Sequence, residues 1–169
     1  MPATAMVAID GVLARPSERV VESVPIPTGL ALYLALSEVY RMVLVSTDPD
    51  RDALLYFLRY QGISGYAELL AGPALGDPPV EVVRAAQLTG LRSRGTSVEL
   101  VVDAAPAVIA MAMHRGVTGL LFAHPKYAYA EFRPDAVGRA RPWDLIEAEM
   151  ANQDRLRVGS PPDHGGVFD

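Results

Sequence analysis

Apolar residues fall in short blocks along this chain, and the blocks alternate with stretches in which apolar positions recur every three or four residues. The blocks at 5–9, 42–45, 67–70, 98–102 and 119–122 have the length of strands. All but the third are nearly continuous apolar runs, as expected of strands in a parallel sheet covered on both faces. Between them, 30–39 is dense in Leu and Ala, and 50–60 puts Leu54, Leu55 and Leu58 on one face. Residues 81–88 carry Val82, Val83 and Ala86, and 107–115 carry Val108, Ile109, Ala112 and Met113. These spacings predict helices with an apolar stripe that packs onto a sheet. Pro79 and Pro106 stand where first turns should lie, and Gly62 and Gly116 where helices should stop.

Strands alternating with helices predict one α/β domain, a doubly wound, mainly parallel five-stranded Rossmann-like sheet with right-handed crossovers. In such folds ligands bind beyond the carboxyl ends of the strands. Asp10 follows the first strand, Ser46 and Thr47 the second, and Asp103 the fourth, so polar groups gather at corresponding strand ends. Each also has a plainer reading. Asp10-Gly11 is a turn sequence, Asp103 is placed to cap the helix near Pro106, and Ser46 or Thr47 to cap the helix at 50–60.

Length and composition fit one domain with a full core: 169 residues, half of them hydrophobic. The expected domain is 1–152. Residues 153–169, ending GSPPDHGGVFD, have a turn-forming composition and predict a disordered tail. The absence of cysteine excludes disulfides, thiolate chemistry and cysteine-held zinc. A net charge of −5 argues against nucleic acid and anionic membrane as partners. No signal-like n-region or membrane-length apolar run is present, and the expected setting is the cytoplasm. Lys126 is the single lysine, so any lysine-dependent chemistry has one candidate.

Residues 11–28 are too short for a cap domain, and the alternation in 19–24 suggests a small flap over the strand ends. Residues 143–149 predict a terminal helix after Pro142. His114 lies near a helix end, where capping is the natural role. His124 and Lys126 follow the last strand, and His164 lies in the tail, so the histidines lack metal-ligand spacing. Tyr127, Tyr129, Phe132 and Trp143 are expected to pack over the sheet edge or a partner.

The segment Met6-Val7-Ala8-Ile9-Asp10-Gly11-Val12 resembles the first motif of the haloacid dehalogenase (HAD) superfamily, Asp-x-Asp-Gly-Thr/Val. Met42-Val43-Leu44-Val45-Ser46-Thr47 is similar to the second motif, an apolar strand ending in Ser or Thr. Val101-Val102-Asp103, followed by a helix from Pro106 that ends in Gly116-Val117, resembles the fourth. The resemblance implies a HAD-like core with minimal or no cap and aspartate-based phosphohydrolase chemistry. It implies Asp10 in the acid/base position, Gly11, Ser46 and Thr47 toward a phosphoryl group, and Asp10 with Asp103 toward Mg2+. A receiver domain shares the strand count, but its phosphoacceptor Asp has no counterpart in Leu69-Leu70-Ala71-Gly72.

The departures bear on activity. Ala8 stands at the nucleophile position, and a methyl group cannot attack phosphorus. Gly76-Asp77-Pro78-Pro79 leads into 81–83 without the lysine of the third motif, leaving Arg84, Arg92 or Arg94 to supply positive charge. Ala107 stands where a second acid of the fourth motif is often found. Asp10 and Asp103 alone imply at most a weak Mg2+ site. The expected function is that of a catalytically impaired HAD-like protein that binds a phosphorylated small molecule or a protein partner. The alternative is a Mg2+-dependent phosphomonoester phosphatase with an atypical site, nucleotides being among its candidate substrates.

Overall fold

The computed structural model describes residues 3–15, 22–123, 144, 146–148 and 151. Strand β1 (Thr4–Ala8) is followed by α1 (Pro27–Ser37), β2 (Arg41–Val45), α2 (Arg51–Tyr60), β3 (Glu68–Leu70), α3 (Val80–Ser93), β4 (Val98–Asp103), α4 (Pro106–His114) and β5 (Thr118–Leu121). The sheet order is β3-β2-β1-β4-β5, and every pair is parallel. This is the Rossmann-like α/β architecture that the alternation of blocks predicts, and each expected strand is present within two residues of its expected bounds.

Burial follows strand position. All five residues of central β1 are buried, as are Met42–Val45 of β2 and all but Glu99 of β4. Edge strand β5 differs from expectation: its apolar run alternates between exposed and half-buried positions, and among the described residues β4 is its one pairing partner. From β1 the chain winds outward through β2 to β3, then returns past β1 to β4. With right-handed crossovers this reversal puts α1 and α2 on one face and α3 and α4 on the other. Helices α3 and α4 pack against each other. The reversal point lies between β1 and β4, the crevice where such folds bind ligands.

Helix ends follow local chemistry. Asp50, not Ser46 or Thr47, caps α2, its side chain accepting from Ala53 N–H. Pro106 opens α4, whose N-cap is Ala105, while Asp103 accepts from Ala105 N–H two residues upstream of the helix. Pro79 sits at the N-cap of α3 rather than inside its first turn. Helix α3 runs five residues past its expected end, through Gly90, because Leu88 and Leu91 are both fully buried. That burial outweighs the ~1 kcal/mol that glycine costs in a helix.

After β1 the chain makes a tight turn in which Gly11 N–H donates to Ala14 C=O. Arg15 and Ile26 then bond Val24 and Leu13 through their backbones, so the two ends of the loop after β1 are tied together. Most of the expected flap at 19–24 lies outside the described residues, as do Lys126, His124, His164, Tyr127, Tyr129, Phe132, Trp143 and the tail at 153–169. Residues 144, 146–148 and 151 are helical, with Ile146 buried. Among the described residues no helix is long and apolar enough to cross a membrane.

Candidate functional site

The carboxyl ends of β1, β2 and β4 converge on one buried arginine. Asp10 comes immediately after Ile9, whose N–H is held by Val45 C=O. Its Oδ1 accepts from Ser46 Oγ at 2.8 Å, and its Oδ2 from Thr47 N–H at 2.8 Å and Thr47 Oγ1 at 3.3 Å. Asp103 closes β4 and is nearly as buried as the core. Between the two carboxylates lies the guanidinium of Arg84, fully buried. Its Nη2 is 3.0 Å from Asp10 Oδ2 and its Nε 2.9 Å from Asp103 Oδ2. All four strand-end residues expected at the site therefore touch one another or Arg84 directly, Thr47 through both its backbone N–H and its Oγ1.

Arg84 is the cation chosen among the three candidates. Arg92 instead donates to Arg115 C=O, and Arg94 pairs with Glu68 on the surface. Burial acting on Arg84 alone would favour the neutral form. The opposing charges and hydrogen bonds of Asp103 and Asp10 outweigh it and hold the guanidinium above its ordinary pKa. For Asp103 burial dominates instead, pushing the carboxyl up against the pull of Arg84 and of Ala105 N–H. Among the described residues, no buried side-chain polar atom lacks a hydrogen-bond partner.

Gln87, one turn beyond Arg84, completes the arrangement. Its Oε1 accepts from Arg84 Nη1, and its Nε2 donates to the carbonyls of Ser46, Leu70 and Ala71 at 3.0, 3.3 and 3.1 Å. It thus fixes the guanidinium against the ends of β2 and β3. Sequence reasoning passed over Gln87 and left Arg84 among several options. A signal was present, since Arg84 lies four residues after Val80 and four before Leu88, inside the stripe that α3 buries. A charge in an apolar stripe requires a buried partner.

Each residue expected to face a phosphoryl group already spends its donor within the chain. Gly11 N–H goes to Ala14 C=O, Ser46 Oγ and Thr47 N–H go to Asp10, and Ser46 N–H goes to Leu70 C=O. The glycine at position 11 answers to crowding: its φ is +80°, and a Cβ there would stand 2.7 Å from the Ala104 side chain, against the loop after β4. Ala8, at the nucleophile position, is fully buried in the sheet.

The same geometry bears on Mg2+. A divalent ion needs free carboxylate oxygens facing one space. Here the oxygens of Asp10 and Asp103 are engaged by Ser46, Thr47, Ala105 and Arg84, and the guanidinium fills the space between them. Among the described residues no group of three or more His, Asp or Glu side chains is arranged to hold a metal. The residues do not fit the ion.

A second feature lies on the outer flank of α3. A groove of about 450 Å³ runs between α3 and the segment after β3, lined by Leu70, Pro73, Pro78, Val82 and Ala86, with Arg94 on its border. Gln87 borders it too, and so touches both the groove and the buried cluster.

No protein-family model matches the chain, and no curated protein matches it. Solved structures do. A chain described as "Structure of Pnkp1/Rnl/Hen1 complex" superposes with a TM-score of 0.62 at 17% identity, over 72% of this chain and 46% of that one. A second, "Structure of the Pnkp1/Rnl/Hen1 RNA repair complex", gives 0.61 at 17% identity over 72% and 42%. A hydrolase from Streptococcus pneumoniae TIGR4 gives 0.46 at 19% identity, over 63% of this chain and 56% of that one. The present chain thus spans just under half of the first two. At these identities the likeness is one of fold, and the fold is consistent with a HAD-like core.

Proposed function

We propose that this chain is a HAD-like domain without ordinary phosphohydrolase turnover, and that it acts by binding a protein partner. One observation carries the reading: the donors that a phosphohydrolase of this type turns toward a phosphoryl group are turned here toward the chain's own Asp10. Asp10 is about a quarter exposed, but both its oxygens are engaged, so it is poorly placed as a nucleophile or a proton carrier. Two carboxylates against one guanidinium also leave the cluster one unit negative in formal charge, which disfavours a phosphorylated small molecule. The first two structural neighbours belong to an assembly of several proteins, which agrees with a protein as the ligand.

Phosphate release from a panel of phosphomonoesters, nucleotides included, with and without Mg2+, tests the proposal. The expected rate is that of buffer alone, for the native chain and for Ala8→Asp. Restoring one carboxylate leaves Asp10 bound to Arg84, Ser46 and Thr47, so that single change should yield no turnover. Substantial hydrolysis that disappears in Asp10→Asn would overturn the proposal and restore the phosphatase alternative.

A further inference from the structure

We infer that Arg84 is the resident cation of this site: its guanidinium takes the charge-neutralising place between Asp10 and Asp103 that a divalent ion would need, and thereby keeps such ions out. The inference stands whichever ligand the domain binds.

Two carboxylates at the ends of adjacent strands β1 and β4 repel each other and lose hydration as they approach, so a cation between them is needed if both are to stay ionised. A guanidinium meets this need because it stays charged and presents its donors in a fixed planar fork. In this chain all three guanidinium nitrogens are engaged. Nη2 faces Asp10, Nε faces Asp103, and Nη1 is tied to Gln87, which is itself anchored to carbonyls at the ends of β2 and β3. The remaining oxygens of the two acids are taken up by Ser46 Oγ and Ala105 N–H. Entry of a metal would require expelling a fully buried arginine that has no route to losing its charge. The cation that neutralises these acids is therefore built into helix α3 and needs no supply from solution.

Competition with Mn2+, followed by electron paramagnetic resonance and by thermal unfolding, reads this directly. The native chain should bind no Mn2+ in a manner that depends on Asp10, and Mn2+ should leave its melting temperature unchanged. Arg84→Ala frees both carboxylates and opens space between them. It should bind Mn2+ at least about tenfold more tightly than the native chain, with a raised melting temperature. Adding Asp10→Asn to that variant should abolish the gain. One Mn2+ bound per native chain and lost in Asp10→Asn would overturn the inference. So would a folded Arg84→Ala that neither binds Mn2+ nor is stabilised by it. Should Arg84→Ala fail to fold, Arg84→Lys carries the second arm: one ammonium cannot span both acids as the fork does, so Mn2+ should bind there more tightly than to the native chain. Equal and negligible binding by a folded Arg84→Lys would count against the inference.

Discussion

Two arginines that form ion pairs lie ten residues apart, Arg84 within helix α3 and Arg94 at its C-cap, and they answer different demands. Arg84 is fully buried and bridges two carboxylates at the heart of the sheet. Arg94, about half exposed, reaches Glu68 at the rim of the apolar groove. Their chemistry is the same, and what separates them is the water each has given up. Charges taken out of water must find partners of excellent geometry or the fold fails, whereas charges left in water gain little from pairing. A short distance is therefore a poor guide to importance. The Arg94–Glu68 contact, at 2.6 Å, is shorter than either contact of Arg84.

The sharpest way to break this contrast is to remove the buried arginine. Arg84→Ala leaves Asp103 buried without a counter-charge and strips Asp10 of one, and should lower the unfolding free energy by about 3–5 kcal/mol. Chemical denaturation checks it, and a loss below about 1 kcal/mol would mean that the cluster is solvated rather than buried. A companion variant separates charge from shape. Replacing all three members together, Asp10→Asn, Arg84→Met and Asp103→Asn, should recover much of the loss, since no unpaired charge remains.

Gln87 joins the two regions and should show an intermediate effect. Gln87→Ala removes the donor to the Ser46, Leu70 and Ala71 carbonyls and the acceptor for Arg84, at an expected cost of about 1–3 kcal/mol. The same variant should speed amide hydrogen exchange at the ends of β2 and β3, which Arg94→Ala should not do. Equal exchange in the two variants would remove the case for Gln87 as the link.

How far this contrast could be read from the residues alone depends on range. Strands and helices were legible because their apolar spacing is local, and the convergence of Asp10, Ser46 and Asp103 followed from the rule that parallel strands end on one side. The partner of those acids was not legible. Arg84 and Asp10 are 74 residues apart, and only the packing of α3 across the sheet brings them together. Separations of 36 and 37 residues hid the fate of Ser46 and Thr47: their types suit phosphate, yet their donors had a carboxylate of the same chain to satisfy. Helix α3 showed the opposite failure: its apolar spacing predicted an end at residue 88, and the burial of Leu91, visible only in three dimensions, carried the helix on through Gly90.

The smallest expected effect lies at the rim and is the fairest test of the comparison. Arg94→Ala breaks a contact between side chains that are about half and a third exposed, so solvent replaces what is lost. The change in unfolding free energy should be about 0–1 kcal/mol at low salt, shrinking further as salt screens the pair. Salt should have far less influence on the loss in Arg84→Ala, because the charges there are shielded from ions by the core. Denaturant curves of both variants at low and high salt therefore yield four numbers with a definite order. A rim variant as costly as the buried one, or a buried variant whose cost melts away with salt, would show that burial does not set the worth of these arginines. The order expected from burial is a large, salt-insensitive loss at position 84 and a small, salt-sensitive one at position 94.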